Sequence, residues 1–192
     1  DDTDAAERVK IQYGTSMCYP VSSMGSHVSV VPNHQLNRKT PLHTRANVAY
    51  FGTFGYELDL NKLSDEEISE VKQQITFMKE YRELIQFGTF YRLKSPFEGN
   101  ETVWMTVSED KKTALVFWYR ERNVVNADFT RVRLQGLDPD IIYRNEYNGT
   151  ENYGDELMNL GLLTTDCTAG EPTSEDEPCT DYESRIYVLT AK

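Results

Sequence analysis

The chain has 192 residues, 39% of them hydrophobic, and a formal net charge of −11. That length can bury a sizeable core in one or two domains. The acidic balance argues against nucleic acid or an anionic membrane as a partner, because both reward basic patches, and no apolar run approaches the ~20 residues that a membrane span needs.

The chain opens on DDTDAAERVK, three carboxylates in four residues. Residues 3–13 read as a short helix, with Ala5, Ala6, Val9 and Ile11 available to pack and Gly14 to end it. HVSVV then reads as a strand closed by Pro32, residues 42–51 as a second helix, and FGYELDL as a short extended piece. Ser64 followed three residues later by Glu67 is a capping box. It opens a helix expected over residues 65–86, whose stripe Ile68, Val71, Ile75 and Met78 needs a covering surface.

After Gly88 the texture changes. TVWMTVSE, TALVFWYRE, FTRVRLQGL and SRIYVLTAK carry alternating, β-branched or aromatic runs, separated by the turn segments GNET, EDKK, LDPD and NGTENYGD. Short strands at such spacing predict an antiparallel sandwich. The fold expected overall is α+β, an α/β piece over residues 1–86 and an all-β piece over 87–192. Two short strands cannot by themselves make a parallel sheet covered on both faces. The order helix, strand, helix, strand, long helix is that of the last quarter of a (β/α)8 barrel.

Most chemistry-bearing residues have an ordinary reading. An acidic run at a helix start is commonly solvated, and DDTDAAER lacks the glycine and distal Glu of a Ca²⁺ loop. His27, His34 and His43 do not have zinc-ligand spacing, and no phosphate-binding loop or nucleophile elbow is present, so no metal or cofactor is expected. Glu57 and Asp59, two apart on one strand, would lie roughly 6.6 Å apart but on one side of a bound sugar, which favours a structural role. Cys18 reads as a buried small hydrophobe. Cys167 and Cys179 bracket the acidic segment TTDCTAGEPTSEDEPCTDYE, where a bridge would contribute roughly 3 kcal/mol on the chain-entropy account. Asn100-Glu-Thr and Asn148-Gly-Thr are glycosylation sequons in turn-like stretches. With the cysteine pair they lean toward a secretory rather than a cytoplasmic setting.

Nearly the whole chain resembles the C-terminal part of the α-galactosidases of glycoside hydrolase family 36. The matching segments are DDTDAAERVKIQYGTS, YPVSSMGSHVSVVPNHQLNR, FGTFGYELDL, ELIQFGTFYRL, VSEDKKTALV, GLDPD, YGDELMNLGL and SRIYVL; the acidic segment departs from the family. The resemblance implies an N-terminal β-supersandwich, a (β/α)8 catalytic barrel and a C-terminal antiparallel β-domain. This chain would hold only the barrel's end and the last domain. It also implies a retaining mechanism with two Asp residues acting on terminal α-D-galactosides of the raffinose and melibiose class. The nucleophile belongs to a Lys-Trp-Asp-like motif that this sequence does not contain, so the chain alone is expected to be inert. The acid/base motif, Trp-x-Ser-Asp-Asp/Asn-Thr-Asp, begins here at its first Asp, which makes Asp1 the expected proton donor and a substrate contact. Asp2 and Asp4 are then supporting or helix-N-terminal carboxylates, and His27 is a further candidate for the substrate pocket. The expected partners are an α-galactoside, the remainder of the same enzyme and further copies in a homo-oligomer. The competing reading is a non-catalytic structural or carbohydrate-contacting β-domain.

Overall fold

The computed structural model describes residues 2–124, 129–164 and 181–192. It separates into two compact units, residues 1–87 and 88–192.

In the first unit, α1 (Ala5–Thr15) precedes β1 (His27–Ser29), α2 (Leu42–Ala49), β2 (Gly55–Glu57) and α3 (Asp65–Phe87). The two strands pair in parallel, His27 opposite Gly55 and Ser29 opposite Glu57, with α2 as the crossover between them. α2 buries Leu42, Thr44, Arg45, Ala46, Val48 and Ala49, so it is covered on nearly every side. It stops before Tyr50, short of the expected 51, because Gly52 must approach the chain before β1. A Cβ on Gly52 would lie 2.7 Å from the Met24 carbonyl and 2.3 Å from Ser26 Oγ. The capping box is present: Ser64 N–H donates to Glu67 Oε2 at 2.9 Å and Glu67 N–H to Ser64 Oγ at 3.2 Å. α3 buries Val71, Gln74, Met78 and Ile85. Tyr50 meets Phe77 of α3, and Phe77 meets Tyr81, in tilted ring contacts at centroid separations of 4.7 and 4.8 Å. On α1 the expected packing face is partly wrong. Ile11 is 42% exposed, while Arg8 and Gln12 are buried with Ala5, Ala6, Val9 and Tyr13.

The second unit is a six-stranded sheet in the order β3-β4-β5-β10-β7-β8. Its strands are β3 (Thr89–Lys94), β4 (Glu101–Val107), β5 (Thr113–Arg120), β7 (Ile142–Asn145), β8 (Glu151–Tyr153) and β10 (Glu183–Ala191), and each adjacent pair is antiparallel. A separate ladder joins β6 (Arg131–Val132) to β9 (Leu162–Leu163), and α4 (Gly154–Asn159) lies between β8 and β9 in sequence. One face of the sheet presents Val103, Met105, Val107, Ala114, Val116, Trp118, Tyr187 and Leu189 to a core shared with Val132, Leu134, Leu157 and Leu162. The opposite face of β4 and β5 is buried too, with Trp104 stacked on Phe117 at 4.3 Å. Burial on both faces accounts for the unbroken apolar run ALVFWY in β5. β7 and β8 were not legible as strands. The inward residues of β7 are Tyr143 and Asn145, which give no apolar alternation, and β8 is a short edge strand.

Candidate functional site

Asp1, Cys167 and Cys179 lie outside the described residues. The described part of the site begins at Asp2. Asp4 is buried and caps α1: its Oδ2 accepts from Glu7 N–H at 3.0 Å and forms an ion pair with Arg38. Its own N–H donates to Asp2 Oδ1 at 2.7 Å, so the Asp2 carboxylate turns back on the chain. Capping satisfies a donor that the first helical turn would leave open, and the helix dipole favours the negative charge there.

Arg8 holds the same segment from the helix side. It donates through Nη1 to the Asp2 carbonyl at 2.9 Å, through Nη2 to the Gly25 carbonyl, and through Nε to Gln12 Oε1 at 3.4 Å. Gln12 Nε2 in turn donates to the carbonyls of Val48 and Phe51 at 2.9 and 3.1 Å. Two polar side chains one helical turn apart thereby tie the acidic segment to the chain before β1 and to the end of α2. Burial lowers the Arg8 pKa, and the charges of Asp2 and Glu57 oppose that shift. Arg45, on α2, similarly donates Nη1 to the Ser29 carbonyl at 2.7 Å, with its pKa lowered by burial against the charges of Glu67 and Glu70. None of this framework was singled out from the sequence. The available sign was Arg8 and Gln12 recurring at four-residue spacing on the same face as Ala5 and Val9.

The segment leaving the C-terminal end of β1 meets the acidic segment. Asn33 Nδ2 donates to Thr3 Oγ1 at 3.0 Å, and Arg38 reaches Asp4. His27 stands at the other end of β1, half-buried, with its ring against Gly55, where a Cβ would lie 3.0 Å from His27 Cδ2. His34 and His43 are exposed.

Other sequence expectations resolve locally. Asp59 is not on the strand of Glu57. It caps a 3-10 turn at Leu60–Lys62, accepting from Asn61 N–H at 3.0 Å and Asn61 Nδ2 at 2.9 Å. The Asn61 backbone bond, then the side-chain bond, hold its carboxyl below the ordinary range. Cys18 is exposed, not buried, because α1 ends before it and the chain turns outward, with Cys18 N–H bonded to the Thr15 carbonyl at 3.0 Å. Asn100 spends its amide on the backbone of Arg122, donating at 2.7 Å and accepting at 2.9 Å. Asn148 is exposed, and its Oδ1 holds the N–H and hydroxyl of Thr150 at 3.1 and 2.7 Å. A cleft of about 530 Å³ in the second unit is lined by Lys94, Asn100, Glu101, Arg120 and Thr130. Its cations are matched within the unit, Lys94 with Glu101 and Arg120 with Glu183 at 2.6 Å.

Comparison with known proteins gives a consistent picture. The family model described as Melibiase matches residues 1–88 and that described as Glycosyl hydrolase family 36 C-terminal domain matches residues 101–189. α-Galactosidase AgaA of Geobacillus stearothermophilus is 54% identical over 162 residues, covering 84% of this chain and 22% of that protein. Crystal structures of variants of the same AgaA, one in complex with raffinose and one with stachyose, are each 48% identical. They superpose with TM-scores of 0.89 and 0.90 over 99% and 100% of this chain and 25% of theirs. The chain thus spans about a quarter of the length of the relatives it matches.

Proposed function

Because this chain belongs to glycoside hydrolase family 36, we propose that it forms part of a retaining α-galactosidase acting on terminal α-D-galactosides of the raffinose class, with Asp1 as the acid/base. In this reading residues 1–86 are the last βα units of a (β/α)8 barrel, and residues 87–192 are a C-terminal antiparallel β-sandwich. The β-supersandwich, the rest of the barrel and the nucleophilic Asp belong to the remainder of the enzyme, which works as a homo-oligomer.

The observation that carries the reading is the anchoring of the residues after Asp1. Asp4 caps α1, Arg8 grips the Asp2 carbonyl, and Asn33 and Arg38 hold Thr3 and Asp4. Those last two contacts come from the segment at the C-terminal end of β1, the end at which a parallel barrel displays its catalytic groups. Retaining hydrolysis needs two carboxyl groups about 5–5.5 Å apart across the scissile bond. The nucleophile attacks the anomeric carbon while Asp1 gives its proton to the departing oxygen. In the second step the Asp1 carboxylate takes a proton from water, which displaces the enzyme from the sugar. A retaining enzyme needs its donor protonated for the first step, and a neighbouring carboxylate is the general means of raising a carboxyl pKa.

The test is Asp1→Asn in the full-length enzyme. Raffinose hydrolysis should fall about 10²- to 10⁴-fold, the ordinary contribution of a general acid. Formation of the galactosyl-enzyme from an activated aryl α-galactoside should fall much less, because its leaving group departs without a proton. Equal losses for both substrates would contradict the assignment.

A further inference from the structure

We propose that residues 34–37, the tip of the segment leaving the C-terminal end of β1, form part of the leaving-group subsite, with His34 and Gln35 as hydrogen-bonding side chains for the saccharide beyond the scissile bond. The proposal rests on the assignment of Asp1 as acid/base.

Position comes first. The segment is fastened to the chain immediately after Asp1 by the Asn33–Thr3 hydrogen bond of 3.0 Å and the Arg38–Asp4 ion pair. Thr3 is two residues from Asp1, so their Cα atoms are at most about 7 Å apart. A general acid stands within hydrogen-bond reach of the leaving-group oxygen. A segment fastened to Thr3 and Asp4 is thereby assigned to the departing sugar rather than the galactosyl ring.

The tip is also preorganised. Asn33 is 3% exposed. Its Oδ1 accepts from the N–H groups of Gln35 and Leu36, both at 3.0 Å. Its N–H donates to the Arg38 carbonyl at 2.8 Å and its carbonyl accepts from Asn37 N–H at 2.8 Å. Asn37 takes a left-handed conformation with φ of 51° that closes the turn, one that Asn tolerates better than most residues. One buried asparagine thus organises both ends of a tight turn while His34, Gln35, Leu36 and Asn37 all stand exposed. A tip fixed in this way binds without the entropic cost of ordering a loop.

The displayed chemistry suits a saccharide. An imidazole and two carboxamides offer planar donors and acceptors to hydroxyl groups, and Leu36, 51% exposed, offers an apolar surface to the C–H face of a ring. Anchoring and display fall on different residues: Asn33 and Arg38 hold the segment, while among the described residues His34 and Gln35 make none of its anchoring side-chain contacts.

The experiment uses the full-length enzyme carrying His34→Ala and Gln35→Ala together, with His34→Gln as the conservative variant. For raffinose or stachyose, kcat/KM should fall about tenfold through KM, the loss expected for one or two hydrogen bonds. With a nitrophenyl α-galactoside, kcat/KM should stay within about twofold, as should inhibition by galactose, which occupies only the glycosyl site. His34→Gln should restore part of the oligosaccharide activity. Unchanged oligosaccharide kinetics, or equal losses on both substrates, overturn the proposal, the second by showing that the tip only supports the fold. Asp1→Asn is assayed in parallel: raffinose hydrolysis that survives it removes the acid/base assignment and the proposal with it. Selective loss in the tip variants cannot be confused with that failure.

Discussion

The two units bury different things. The first has two strands of three residues each and adds charged and amide anchors to its apolar interior. Arg8, Gln12, Arg45 and Asp4 are all buried, and each is bonded to main-chain groups of another segment or of a helix end. The second is held by long ladders, eight residue pairs between β5 and β10 and seven between β4 and β5. Aromatic and aliphatic side chains there are buried on both faces. Side-chain bonds to loop carbonyls fix loop positions at the cost of desolvating charge. Ladders and apolar faces give stability without specifying loops. The first kind of interior fixes where particular residues stand, and the second fixes the sheet.

The contrast breaks most visibly in the apolar unit. Phe117, fully buried and stacked on Trp104, should cost about 3–5 kcal/mol when changed to Ala, read as lost hydrogen-exchange protection in β4 and β5. A cost below about 1 kcal/mol would mean that this face is not a packed core. In the polar unit Arg8→Met keeps an apolar stem but removes the donors to the Asp2 and Gly25 carbonyls. It should cost about 1 kcal/mol for the lost hydrogen bonds. In the full-length enzyme it should lower kcat more than it raises KM, because the segment it releases carries Asp1. A stability loss with unchanged kcat would assign Arg8 to the fold alone.

The smallest effect is on the alkaline limb. Burial, and then the Glu70 charge, push the Tyr56 phenol up to about 12. Tyr50 is raised further by burial, Tyr56 and Glu70. An unfolded phenol titrates near about 10. A folded pKa raised above that value gives stability fully present below about pH 10 and lost as pH climbs toward 12. The unfolding midpoint should therefore fall across this window, and Tyr56→Phe should flatten part of the fall. Phenolate absorbance tracking an ordinary tyrosine would contradict the burial of Tyr56.

How much of this was legible depends on which kind of interior was at stake. The capping box at Ser64 and Glu67 and the strands ALVFWY and RIYVL are local patterns, and the structure carries them. FTRVRLQGL yields only the two-residue β6, because its partner is an equally short strand about thirty residues on, which no local pattern announces. On α1, hydrophobicity favoured Ile11 over Arg8 and Gln12. Periodicity assigns polar residues to solvent, and the carbonyls of Gly25, Val48 and Phe51 that reverse this come from distant segments. At the candidate site the residue types of DDTD were legible, whereas Asn33 and Arg38 as its anchors required the fold.

The most direct measurement is azide rescue in the full-length enzyme. With Asp1→Asn, deglycosylation loses its base, and azide, which needs no deprotonation, should restore turnover of an activated aryl α-galactoside. The nucleophile holds the sugar through its β-face, so azide enters from the α-face that the leaving group vacated. The product should therefore be an α-configured galactosyl azide, with the configuration of the substrate retained. Asp2→Asn and Asp4→Asn should show no rescue. Rescue with either of those variants and none with Asp1→Asn would contradict the assignment of Asp1.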